Sequence, residues 1–406
     1  MSPAQRGEMW AAPSQGSESS SATPASRNAL SGFYLSGLLM SFLGAILPAW
    51  GYHLQSDYAL VSYYFLSFNA GMLLSVPLAQ LLLVRRSLRF VLAVSCALVS
   101  AAILYLSAVG PPQPYPWRLA GVFWIGVGGG ILNAGLFTGI TQLYRRDPAA
   151  TVNLSGLLFG LGCLTTALLV AGTFHIYTTG AILVFLAVIP GFLAVHYARS
   201  PVPVGGVPVQ ASLRQALSDF KSPAAVLFAL LLFFQFGNEW AIAGWLPLFL
   251  AQRLGVSPAT SLLLLCFYWL ALILGRFVMQ AVLPRVSHGK LLMGSAVSAM
   301  FGCVILSLTN NKFGAGTALV MIGGGFASIY PLVVEKIGHR FPYYHPGLFN
   351  GVFSFAVTGG FLAAASLGFW AHWFGISVIM TVPLAGSIAV FTLLLGIWLE
   401  AKLTGE

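Results

Sequence analysis

Residues 223–250 read PAAVLFALLLFFQFGNEWAIAGWLPLFL, with a single charge, Glu239, near the middle. A helix needs roughly 20 apolar residues, at about 1.5 Å of rise each, to cross the hydrocarbon of a bilayer. This stretch exceeds that length with a single charge, so lipid is the solvent that suits it. Eleven further runs of the same kind flank it, near 30–52, 58–83, 88–109, 117–142, 150–172, 176–198, 258–283, 289–309, 313–336, 346–371 and 374–400. The short alternating segments of a membrane barrel are absent, so a helical bundle is expected. The connections are short, which makes successive helices antiparallel neighbours.

Composition agrees. Of 406 residues, 58% are hydrophobic and 7% charged, and the mean hydropathy is +0.87. Soluble domains carry about a quarter charged residues, so a soluble enzyme is excluded. The net charge of +10 raises nucleic acid as a partner, but phosphate binding needs clustered Lys and Arg. The basic residues instead sort by loop. Arg6, Arg27, Arg85, Arg86, Arg89, Arg145, Arg146, Arg199, Arg214, Lys221, Arg285, Lys290, Lys336, Arg340 and Lys402 fall on one side; Arg118, Arg253 and Lys312 fall on the other. The positive-inside rule then places both termini in the cytoplasm of a protein of the cell (inner) membrane. The charge excess reads as topology, and no nucleic-acid partner is expected.

Residues 1–28 are rich in Ser, Ala, Pro and Gln without an apolar core, which predicts a disordered cytoplasmic tail. Cys96, Cys163, Cys266 and Cys303 lie in apolar runs at spacings that suit neither a metal nor a disulfide framework. His53, His175 and His372 fall at outer helix ends with no second ligand at a useful spacing. No cofactor is expected.

A Pro-, Val- and Gly-rich stretch at 199–222 divides the chain into six-helix halves, 29–198 and 223–402, joined by a cytoplasmic linker. The halves echo each other. Ile125-Gly126-Val127-Gly128-Gly129 matches Ile322-Gly323-Gly324-Gly325 at an offset of 197, and Asn153 matches Asn350 at the same offset. Leu47-Pro48 matches Leu246-Pro247, and Arg86 matches Arg285, both at 199. Four matches in one helix order point to a pseudo-repeat and to the parallel-halved architecture of a rocker-switch transporter.

Several segments narrow the comparison: GLLMSFLGAILPAW in the first helix, NLSGLLFGLGCL in the fifth, FGNEWAIAGWLPLFLAQRLG in the seventh, LILGRF at the end of the eighth and GGGFASIYPL in the tenth. Together they resemble the major facilitator superfamily over nearly the whole chain after residue 28, and within it the fucose–galactose–glucose:proton symporter branch. The loop motif that the superfamily carries after the second helix survives only as basic residues (LLLVRRSLRF and LPRVSHGKLL), without its Asp. The resemblance implies an all-α membrane protein with twelve transmembrane helices, in which helices one, four, seven and ten line a central cavity.

The glycine run at Gly126–Gly130 has no preceding strand and no following acid, so it reads as close helix packing rather than a dinucleotide loop. Polar groups in the spans carry more chemistry. Gln235, Asn238 and Glu239 stand at i, i+3 and i+4 and are expected to share a face, with Trp240 beside them. Amides and a carboxylate bond hydroxyls, and indole faces stack on C–H surfaces, a set that suits a sugar. A carboxyl group in apolar surroundings can exchange protons near neutral pH, which makes Glu239 the candidate coupling acid. Asn133, in a helix expected to line the cavity, Tyr330 in the tenth and Asn350 in the eleventh complete the candidate solute site. Asn133 stands where relatives of this type often carry an acid, so proton coupling would rest on Glu239 alone, and a uniporter or coupling to another ion is the alternative. Arg276 lies about 10 Å from Glu239 in height, so a direct pair is not expected. Arg276 and Glu335 together form a candidate cytoplasmic gate.

The sequence therefore predicts a monomeric secondary transporter, embedded in the lipid bilayer, that moves a small polar solute by alternating access. The solute is expected to be a monosaccharide, and the coupled ion a proton. No ATP-binding motif is present, so a gradient is the evident energy source. Efflux of amphipathic drugs or lipids is the alternative, which the polar face around Glu239 disfavours. A receptor would bring a substantial soluble domain, and an intramembrane enzyme would need converging acids, histidines or metal ligands at one depth. Neither pattern is visible.

Overall fold

The computed structural model describes residues 27–54, 57–201, 220, 222–340 and 351–404. Twelve long helices dominate: α1 (Gly32–Ala49), α2 (Tyr58–Arg85), α3 (Leu88–Ala108), α4 (Tyr115–Gly139), α5 (Pro148–Thr173) and α6 (Thr179–Arg199) form the first half. The second half contains α7 (Pro223–Leu254), α8 (Pro258–Val282), α9 (His288–Leu308), α10 (Lys312–Arg340), α11 (Gly351–Phe374) and α12 (Val378–Thr404). All twelve are long and apolar enough to cross a membrane. The chain is a multi-pass integral membrane protein of all-α class. Of the tail expected over residues 1–28, residues 1–26 lie outside the described residues, as does most of the expected linker, while residues 27 and 28 are helical.

Local chemistry sets the helix ends. Asp57, Ser87, Asp147, Thr178 and Ser257 each accept a hydrogen bond from a backbone N–H of the following first turn. Proline opens α5, α7 and α8, where its missing N–H costs nothing, and Gly255 ends α7 with φ at +60°. A six-residue helix, Thr141–Arg146, follows α4 and carries Arg145 and Arg146 at its end; the sequence reading ran the fourth helix to 142 without this break. Pro48 and Pro247 occupy matching positions near the ends of α1 and α7.

Each half packs by one plan. In the first half α1 lies on α5, α2 on α4, and α3 on both α4 and α6. The second half repeats the plan as α7 on α11, α8 on α10, and α9 on both α10 and α12. Hence the sequence echoes at offsets of 197 and 199 correspond to a repeated structure. The halves meet through α1 against α7, α2 against α11, and α5 against α8. The glycine run serves this packing. A β-carbon on Gly126 would lie 2.1 Å from the Phe68 carbonyl of α2, and one on Gly323 would lie 2.3 Å from the Tyr268 carbonyl of α8. Meanwhile Leu74, Phe192 and Trp398 project outward, more than half exposed, as lipid-facing side chains do.

Candidate functional site

The two halves bring polar groups together around the middle of α7. Gln235 Nε2 donates to Glu239 Oε1 across 2.7 Å. Gln235 is fully buried, whereas Glu239 keeps part of its surface accessible. From α8, Arg276 and Tyr268 come within electrostatic range of Glu239, as does Tyr330 from α10. Arg276 is 6% exposed, and its Nε and Nη1 are sealed without a hydrogen-bond partner. The Tyr268 hydroxyl and Gln235 Oε1 are likewise buried and unpartnered. Between Arg276 and Glu239 there is no ion pair within 4.0 Å, in line with their different heights.

Asn133 of α4 accepts a 2.7 Å bond from Ser36 Oγ of α1, which fixes its carbonyl and leaves its NH₂ to donate elsewhere. Tyr330 packs on Phe236 with ring centroids 5.4 Å apart. Trp240 turns toward α11, where its ring meets Phe361 edge-on at 5.1 Å.

One expectation needs correction. Asn238 does not join the face formed by Gln235 and Glu239. Its amide oxygen fills the space beside Gly386 of α12, where a β-carbon would lie 2.0 Å away. At about 100° per residue, positions 235 and 239 lie about 40° apart, while 238 falls about 60° to the other side of 235. Glu335, in turn, does not meet Arg276. It contacts His288 Nε2 at 3.3 Å and His339 Nε2 at 3.9 Å, facing the start of α9. Arg276 Nη1 instead lies inside the bundle, where Gly156 of α5 leaves space. Asn350 lies outside the described residues.

The sequence reading missed the aromatic layers on either side of this cluster. Toward the end bearing Arg85 and Arg146, Phe33 of α1 meets Phe137 of α4 at 5.6 Å, Phe137 meets Phe353 of α11 at 5.9 Å, and Phe353 meets Phe236 of α7 at 5.9 Å. This layer links the halves beneath Glu239. Toward the opposite end, Phe65 of α2 stacks on Trp245 of α7 at 5.4 Å, and Trp245 donates to the Ala364 carbonyl across 2.8 Å. Further out, the Tyr58 hydroxyl donates to Gln252 Oε1, and Gln252 Nε2 donates to the His53 carbonyl across 3.2 Å. No sequence period separates these rings from the many that face lipid. Only their pairing across helices distinguishes them.

A bundle of two pseudo-repeated six-helix halves, meeting around a buried polar cluster, defines a class of membrane transport fold. The sequence profile of the Major Facilitator Superfamily matches residues 29–365, and the chain belongs to that family. It is 30% identical over 149 residues to a "Putative glucose/galactose transporter" of Helicobacter pylori (strain J99). That match covers 36% of this chain and 35% of the relative, about a third of its length. In structure, the chain is similar to an Escherichia coli fucose:proton symporter variant, FucP, with a TM-score of 0.62 and 16% identity, covering 93% of this chain and 99% of that one. It is also similar to the nucleoside transporter NupG, with a TM-score of 0.69 and 13% identity over 92% of this chain and 99% of that one. At these identities the structural likeness concerns the fold.

Proposed function

We propose that the protein is a secondary transporter that moves a small polar solute, a monosaccharide first of all, by alternating access, with Glu239 carrying a coupled proton. The observation that carries this reading is the Gln235–Glu239 pair. It sits at the middle of a membrane helix, hydrogen-bonded at 2.7 Å, partly accessible, and between two aromatic layers that bridge the halves. An acid at that depth is costly unless the bundle uses it. The names of similar proteins, a glucose/galactose transporter and a fucose:proton symporter, support the solute class and the ion.

The residues divide the task. Gln235 Oε1, the Asn133 amide and Glu239 bond solute hydroxyls, while Tyr330, Phe236 and Trp240 supply faces for ring C–H surfaces. Opening to one side separates the layer of Phe65 and Trp245; opening to the other separates Phe137 from Phe353. Protonation of Glu239 removes a charge that the bundle must otherwise carry through that exchange, so solute and proton occupancy are linked. In the cell the protein sits in the inner membrane as a monomer, with both termini cytoplasmic by the positive-inside rule.

The test is accumulation of labelled glucose, galactose and fucose in proteoliposomes under an imposed inward proton gradient. Gradient-dependent accumulation of one of them is the expected result. Competition by lipophilic cations, with no effect of any sugar, would replace this reading with efflux of amphipathic compounds.

A further inference from the structure

Among the described residues no carboxylate comes within 4.0 Å of the buried guanidinium of Arg276. Among the described residues every other acidic side chain is engaged elsewhere. Asp57 and Asp147 cap α2 and α5 through the backbone N–H groups of Leu60 and Ala150. Glu400 takes two bonds of 2.7 Å from Arg340, and Glu335 contacts His288 and His339. Glu239 accepts from Gln235 and makes no ion pair with Arg276 within 4.0 Å. Arg276 Nε and Nη1 therefore point into the protein without an acceptor, with the unpartnered Tyr268 hydroxyl on the same helix. On the facing helix, Asn153 stands one turn from the Gly156 that admits the guanidinium, and its Oδ1 is buried and unpartnered. Buried charges are ordinarily paired, and a guanidinium is the side chain best shaped for a planar oxyanion.

From this juxtaposition we infer that Arg276 is an anion subsite, and that the transported solute is a sugar acid whose carboxylate binds there while its hydroxyls meet Gln235 and Glu239. The inference rests on the proposed function and names the solute class for the same site. Its charge balance also assigns the ion coupling. With Glu239 ionised, Arg276 and Glu239 sum to zero. Entry of a carboxylate alone leaves one negative charge in the bundle, and a proton taken up by Glu239 cancels it. Among the described residues, the other titratable groups that act on Arg276 are Tyr268 on its own helix, Tyr330 of α10 and Cys163 of α5. None of them is a carboxylate. One carboxylate and one proton then cross together with no net charge.

The experiment uses the full-length protein in proteoliposomes, with labelled galacturonate and galactose as probes and the membrane potential clamped at either sign. The expected result is galacturonate accumulation driven by the proton gradient and unchanged by the potential. Galacturonate should compete at least ~10-fold better than galactose. Arg276→Gln should lose galacturonate uptake by at least ~10-fold, and Arg276→Lys should retain part of it. If galactose moves and galacturonate neither moves nor competes in the unaltered protein, the anion subsite is overturned and the proposed function stands. Equal loss of both sugars in Arg276→Gln also overturns it, because the residue then serves the bundle rather than a carboxylate. If neither sugar moves, the subsite falls together with the reading on which it rests.

Discussion

Arg276 and Gly156 meet across the two halves of the bundle: a β-carbon at Gly156 would lie 1.4 Å from Arg276 Nη1 and 2.5 Å from its Cζ. Glycine at this point of α5 is what lets the guanidinium of α8 lie inside the bundle. Because the obstructing atoms are the tip of a flexible side chain, Gly156→Ala should displace Arg276 without unfolding the protein. The melting temperature in detergent should change by a few degrees at most, while solute exchange falls at least ~10-fold, about 1.4 kcal/mol of lost stabilisation. Normal exchange in the variant would show that the position of Arg276 is immaterial.

Asn238 and Gln235 give opposite expectations although they stand three residues apart. Asn238 is 2% exposed and fills space against Gly386, so Asn238→Ala leaves a cavity there and should lower thermal stability by about 0.5–3 kcal/mol, with the apparent solute affinity within ~2-fold. Gln235 holds Glu239, so Gln235→Ala should shift the pH dependence of transport. Thermal melts beside transport kinetics separate the two. A large affinity loss in Asn238→Ala would return that residue to the solute site.

Gln252 joins α7 to Tyr58 at the start of α2 and to His53 beside it. Gln252→Ala removes these two hydrogen bonds, a change of about 1–2 kcal/mol at roughly 1 kcal/mol each. The population open on that side should rise by roughly 5- to 30-fold. Ala241→Cys, one turn deeper on α7 than Trp245, reports this through its labelling rate with a membrane-impermeant thiol reagent. An unchanged rate would mean that these bonds do not restrain opening.

The fold was legible in the sequence because the bilayer imposes its length and polarity on every span. The run at 223–250 and its eleven companions became twelve helices, and the offsets of 197 and 199 became a repeated packing plan. The site was legible only in part. Glu239 stood out because an acid is rare at that depth, and Gln235 followed because i and i+4 lie nearly in line. The direction of Asn238 did not follow, because a rotation of about 100° from Glu239 carries it to another helix. The contacts of Glu335 with His288 and His339 did not follow either, because sequence depth locates a residue along the membrane and says nothing of which neighbour it faces. Phe137, Phe353 and Phe65 looked like any other rings in an apolar run. Their role arises from pairing between the halves, which depends on tertiary contacts.

The central claim is that Glu239 links solute movement to protons, and Glu239→Gln tests it most directly. Glutamine keeps the size and the hydrogen-bonding of the site but cannot take up or release the coupled proton. In proteoliposomes of the variant, solute counterflow between equal concentrations should persist, while accumulation driven by an imposed proton gradient should fall to the level of empty vesicles. Proton-driven accumulation equal to that of the unaltered protein would contradict the account.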